Sequence, residues 1–158
     1  MNGLTLAANG DTEVIATRAF NAPRHLVFEA MTNPVHIPKW LFGPPGWSME
    51  VCEFELRVDG MYRYVWKHVD GRVMGMGGKL VAFVVPEKIV TTEKFDDPWY
   101  PGEAVSTVVL EEAGGVTTMT LTIVYETREI RDGVLRSRME YGMSLGYDRL
   151  EELVVGMV

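Results

Sequence analysis

One glutamate stands out for the chemistry its neighbours would impose on it. In K-I-V-T-T-E-K-F (88–95) the alternation that turns Lys94 to solvent puts Ile89, Thr91, Glu93 and Phe95 on the opposite, inward face. A carboxyl group among aromatic side chains has its pKa raised unless a donor such as Tyr62, Tyr64 or an arginine meets it. Such a group orients the polar end of a ligand or acts as a general acid or base; the plainer alternative is a satisfied glutamate near the end of a sheet. Other reactive types are thinly spread. His25, His36 and His68 share no metal-ligand spacing with one another or with Cys52, so no metal and no cofactor is expected. No serine lies in a recognisable nucleophile context, and M-G-M-G-G-K-L (74–80) lacks the spacer and the Ser or Thr of a phosphate loop. Its glycines read as a strand bend or bulge. No catalytic residue is therefore assigned; a cyclase- or hydrolase-like enzyme would need distant residues brought together, with Glu93 or His68 as the acid/base.

The second feature is apolar. W-L-F-G-P-P-G-W (40–47) sets two tryptophans and a phenylalanine on a loop stiffened by Pro-Pro and bent by Gly43 and Gly46. Loops are normally polar, so this one either plugs the domain's core or rims an apolar pocket, with Trp40, Phe42 and Trp47 as the gate. His36, just before it, either reaches this loop or is solvated. In M-Y-R-Y-V-W-K-H (61–68) charged Arg63 and Lys67 face water, which turns Tyr62, Tyr64 and Trp66 inward, with His68 in phase. Phe95, Met139 and Met143 complete the expected lining, and ten methionines suit either a loosely packed core or an adaptable cavity.

These residues must be positioned by a strand-dominated fold. Residues 1–11 read as a flexible tail, and 12–158 as a single domain whose first strand is T-E-V-I-A-T-R-A-F (12–20). Asn21 reads as an N-cap ahead of Ala22-Pro23, opening a helix through about Met31, and a short second helix fits before Trp40. Strands follow near 49–56, 60–68, 72–84, 88–95, 104–111 and 116–125, separated by Asp59-Gly60, Asp70-Gly71, Pro86-Glu87, the 96–102 loop and Gly114-Gly115. Inward positions on the last two strands are Ser106, Val108 and Leu110, then Met119, Leu121, Ile123 and Tyr125. Arg128 to Val154 reads as one continuous helix, roughly 40 Å long at 1.5 Å per residue. Its stripe of Leu135, Met139, Gly142, Met143, Gly146, Leu150 and Leu153 needs the concave face of a curved sheet. Gly142 and Gly146 either let the helix touch the sheet or leave room beneath it.

Composition narrows the function classes. A length of 158 residues suits one domain that buries about 70% of its unfolded surface. The net charge of −7, with scattered basic residues, excludes a nucleic-acid partner. No run of apolar residues is long enough to span a membrane, and the N-terminus lacks the pattern of a signal peptide. Cys52 is the only cysteine and reads as an inert strand residue, so a reducing cytoplasm is expected. Tyr141 and Leu145 on the outer helix face are either ordinary exposed residues or the seed of a homodimer.

Together, A-P-R-H-L-V-F-E-A-M-T-N-P (22–34), P-K-W-L-F-G-P-P-G-W (38–47), V-C-E-F-E-L-R-V-D-G-M-Y-R-Y (51–64), T-E-K-F-D-D (92–97) and M-E-Y-G-M-S-L-G-Y-D-R-L-E-E-L (139–153) form a recognisable pattern. The chain resembles the C-terminal-domain family of the heat-shock protein 90 ATPase activator, within the START-like (SRPBCC, birch-pollen-allergen-like) superfamily. The resemblance implies an α+β helix-grip fold: a curved antiparallel sheet of about seven strands around a long C-terminal helix, with two short helices after the first strand. It also implies a cavity for an apolar molecule such as a lipid, sterol or polyketide. Co-chaperone work is implied as the alternative, although the activator's separate N-terminal domain has no counterpart in these 158 residues. The leading expectation is non-catalytic binding of an apolar or aromatic small molecule.

Overall fold

Alternating apolar strands joined by tight turns can only meander, and the computed structural model, which describes residues 3–98, 100–137 and 139–158, is built that way. In chain order the elements are β1 (Thr5–Asn9), β2 (Glu13–Phe20), α1 (Arg24–Thr32), a 3₁₀ turn (Ile37–Lys39), β3 (Trp47–Phe54), β4 (Met61–His68), β5 (Val73–Val84), β6 (Lys88–Phe95), β7 (Ala104–Ala113), β8 (Val116–Val124), α2 (Arg128–Arg136) and α3 (Met139–Met157). All eight strands form one antiparallel sheet in the order β1-β2-β8-β7-β6-β5-β4-β3. This is the helix-grip architecture. Gly114 and Gly115, with φ of 59° and 77°, make the two-residue β7–β8 turn that fixes the pairing of Ala113 with Val116.

Three local expectations are corrected. The sheet has eight strands rather than about seven, because Thr5–Asn9, read as part of a tail, pairs with β2 from Thr5↔Thr17 to Asn9↔Glu13. Arg131 of α2 locks that hairpin: its buried guanidinium donates to the carbonyls of Asn9, Gly10 and Glu13. Asn21 does not cap α1. Pro23 is the N-cap residue, its carbonyl receives the Leu26 and Val27 N–H groups, and the Asn21 N–H donates to Glu151. Finally, the long helix is two helices. Thr127 caps α2 by accepting from the Ile130 N–H, and α2 ends at Ser137, whose ψ of 177° is extended and whose hydroxyl and N–H both turn back to the Val134 carbonyl. Residue 138 lies outside the described residues.

The principal core lies where the C-terminal half of α3 meets β2, β7, β8 and α1. Leu150 and Val154 are wholly inaccessible there, packed with Val14, Phe20, Val27, Leu110 and Met119. A second cluster gathers Ile37, Tyr62, Tyr64 and Trp66 on the β3–β4–β5 side. Between the two clusters the molecule is not filled.

Candidate functional site

The period of β4 alternates buried and accessible residues through Met61–His68, and its buried set is Tyr62, Tyr64 and Trp66. Tyr62–Tyr64 and Tyr64–Trp66 ring centroids are 5.0 and 5.9 Å apart, so the three rings form a continuous aromatic strip. The 40–47 loop faces this strip and is held by its polar atoms. Trp40 Nε1 donates to the Ala30 carbonyl at 2.9 Å, and Trp66 Nε1 donates to the Leu41 carbonyl at 2.7 Å. Arg149 of α3 closes the other side, donating to the Gly43 carbonyl at 2.7 Å with its guanidinium 3.8 Å from the Phe42 ring centroid.

α3 crosses above. Gly146 comes close to Trp40, where a Cβ would meet the Trp40 carbonyl oxygen at 3.8 Å; a Cβ at Gly142 would meet nothing within 4 Å. Of the two readings of these glycines, contact describes Gly146, which meets Trp40 of the loop rather than the sheet, and open space describes Gly142, which is exposed. Beside Gly142 is a cavity of two lobes. The smaller, about 210 Å³, lies between Phe54, Tyr62, Tyr64, Ile89, Ser106 and Tyr147. The larger, about 530 Å³, lies between Trp47, Trp66, Phe95, Tyr100, Tyr125 and Met139. Trp40, Leu41, Met76, Glu93, Gly142, Met143 and Gly146 border both, so the lobes adjoin at Glu93.

Burial pushes the Glu93 carboxyl up to about 7, against the opposing influence of the Ser106 hydroxyl. Its charge in turn reaches five phenols. Burial first and Glu93 second raise Tyr62, Tyr100, Tyr125 and Tyr147, and burial, then Cys52, then Glu93 raise Tyr64. Cys52, on the strand paired with β4, is pushed up to about 11 by burial and by Glu53, which makes it a poor nucleophile. Among the described residues no group of three or more His, Cys, Asp or Glu side chains could hold a metal ion. No described helix is long and apolar enough to cross a membrane.

Nine of the ten expected lining residues border this cavity: Trp40, Glu93 and Met143 both lobes, Tyr62 and Tyr64 the smaller, Trp47, Trp66, Phe95 and Met139 the larger. Phe42 is not among them; it lies beneath the Arg149 guanidinium. His68 sits behind the wall, edge-on to Trp47 with ring centroids 5.1 Å apart, and its Nδ1 accepts from the Asp70 N–H. His36 is half-buried, and its Nδ1 has no hydrogen-bond partner among the described residues. Tyr100, Tyr147 and Arg149 were not anticipated. Tyr147 follows Gly146 on the buried face of α3, where it stacks on Trp40 at 6.0 Å and meets Phe20 edge-on at 6.1 Å. Its signal was the apolar spacing 143, 147, 150, 154, parallel to the stripe that was read.

The architecture has close counterparts. A crystal structure from Rhodobacter sphaeroides superposes with a TM-score of 0.92 at 29% identity, covering 98% of this chain and 99% of that one. Proteins from Chromobacterium violaceum (24% identity, TM-score 0.79, 90% and 96% covered) and Nitrosomonas europaea (21%, 0.82, 96% and 99%) share the fold. No curated protein matches the sequence. Residues 21–155, which span everything from the start of α1 through nearly all of α3, match one family throughout, and the chain belongs to it: the Activator of Hsp90 ATPase homolog 1-like protein family.

Proposed function

We propose that the protein binds an apolar or aromatic small molecule in the cavity between the sheet and α3, without acting on it chemically. The observation that carries this reading is the unfilled two-lobed space beneath Gly142, walled by aromatic rings and methionines with one carboxyl group at its centre. Mostly apolar walls with few polar anchors are the usual make-up of small-molecule sites, and the larger lobe is of suitable size. Trp47, Trp66, Phe95, Met139 and Met143 supply the contact area in this reading, Trp40 divides the lobes, and Glu93 orients a polar end.

The test uses Gly142, because filling the space there does not strain the fold. N-phenyl-1-naphthylamine, a neutral aromatic dye that brightens in apolar surroundings, is titrated into the wild type and Gly142→Leu. Saturable binding by the wild type and a loss of about tenfold or more in the variant, at equal or higher melting temperature, is the expected result. Equal binding by both would remove the cavity as the site. Family membership favours a second reading, docking on a heat-shock protein 90 chaperone. A pull-down with such a chaperone and its ATP turnover at saturating protein test it, and no effect would dismiss it.

A further inference from the structure

The cavity's charge pattern narrows the ligand class, an inference that rests on the binding reading above. We propose that Glu93 and its surrounding tyrosines form a site for an organic cation, a protonated amine carrying an apolar or aromatic body. Two observations lead there. First, among the described residues Glu93 and Arg149 are the only formally charged side chains bordering the two lobes, and the smaller lobe has Glu93 alone. Arg149 is already committed to the Gly43 carbonyl and the Phe42 ring. Among the described residues Glu93 takes part in no salt bridge, so the charge offered to a ligand is negative and lacks a counter-ion. Second, the walls around it are aromatic: Tyr62, Tyr64 and Tyr147 in one lobe, Tyr100 and Tyr125 in the other. Ring faces carry negative quadrupole charge and attract cations, Tyr and Trp more than other side chains. An anion would meet both repulsions, and a neutral ligand would leave Glu93 unpaired whenever it is ionised.

The unequal lobes suggest the pose. An ammonium group at the junction meets Glu93, its apolar body fills the larger lobe against Trp47, Trp66 and Phe95, and the smaller lobe takes a short substituent. The elevated Glu93 pKa fits a carboxyl group that awaits a positive partner, since burial without one favours the neutral form.

The experiment displaces N-phenyl-1-naphthylamine with 4-phenylbutylamine, its neutral alcohol and its carboxylate analogue, at about pH 5.5 and about pH 8, where the amine stays protonated throughout. Among the described residues, the titratable and charged groups that border the lobes with Glu93 are the five tyrosines, all raised above their ordinary values, and Arg149, so Glu93 is the one of them that changes charge across this range. At the higher pH the amine is expected to bind about tenfold or more tighter than the alcohol, an advantage that shrinks at the lower pH. Glu93→Gln should reduce the amine to the alcohol's affinity, so that the ratio of the two falls to about one. Ser106→Ala, which removes the hydroxyl that favours the charged form, should move the midpoint of the amine's pH profile upward. Equal affinity of amine and alcohol in a protein that binds the dye overturns the cation assignment and leaves the cavity reading intact. Alcohol binding that tightens as pH falls also overturns it, because a protonated Glu93 would then be donating to a neutral acceptor. A protein that binds neither dye nor amine overturns both.

Discussion

The two halves of α3 face the same sheet and do different work. Past Gly146 the helix buries Leu150 and Val154 completely against Val14, Phe20 and Val27; before it, Met139 and Met143 are only half-buried and Gly142 opens on empty space. The sheet differs to match, aliphatic beneath the C-terminal half and aromatic along Tyr62, Tyr64 and Trp66 beneath the other. Close packing on one side holds the helix at a distance from the sheet that the other side does not fill. The filled half stabilises, and the unfilled half is where we propose that a ligand binds.

Substitutions in the two halves should separate most widely in stability. Leu150→Ala leaves a cavity in a filled core and is expected to cost about 2–5 kcal/mol, whereas Met143→Ala, at the edge of an existing cavity, should cost about 1 kcal/mol or less. Urea midpoints at unchanged m-value measure both, and equal costs would erase the distinction between the halves.

Next in size is the effect of the buried carboxyl. The folded protein binds the Glu93 proton more tightly than the unfolded chain does, so this group favours folding fully below about pH 4.5, and that contribution is lost as pH rises through about 7. The shift corresponds to at most roughly 3 kcal/mol, so stability should fall over this range in the wild type and stay flatter in Glu93→Gln. Asp70, Asp96 and Asp132, held below the usual carboxylate range by backbone or arginine partners, give the opposite slope only at still lower pH. A wild-type profile identical to that of Glu93→Gln would place the carboxyl in water.

The smallest effect is at the helix glycine. Gly142→Ala meets nothing and should raise stability by about 1 kcal/mol through helix propensity alone. Thermal melting reads it, and a loss instead of a gain would mean that position 142 is in contact with the sheet.

Much of this contrast was legible in the sequence wherever local periodicity governs. Two-residue alternation in 61–68 placed Tyr62, Tyr64 and Trp66 inward, and the turn pairs set the strand boundaries to within a few residues. The first strand was missed although Asn9-Gly10 is a strong hairpin signal, because L-T-L-A-A is short, weakly apolar and at an edge. Phe42 and Arg149 lie 107 positions apart, and no local pattern reports a cation resting on a ring at that separation. Tyr100 was hidden for a related reason. Its loop is fixed by Glu126, which receives the Glu103 N–H and fills the space where a Cβ at Gly102 would stand. The M-G-M-G-G-K-L glycines were read as a bend or bulge. The register shift falls just beyond them, between Leu80 and Ala82, while Gly78 serves close contact, since a Cβ there would lie 1.9 Å from the Thr92 carbonyl oxygen.

The strand order has a consequence in time. β2 is flanked by β1 and β8, and its pairing with β8 joins Glu13 to Val124 across most of the chain. At ribosomal speeds of about 5–20 residues per second, the first hairpin waits roughly 5 to 20 seconds before its neighbour exists. The Asn9, Gly10 and Glu13 carbonyls wait slightly longer, until Arg131 emerges to collect them. The N-terminal edge of the sheet is therefore completed last, and the newborn chain spends that interval with its opening strands available to other sheet edges.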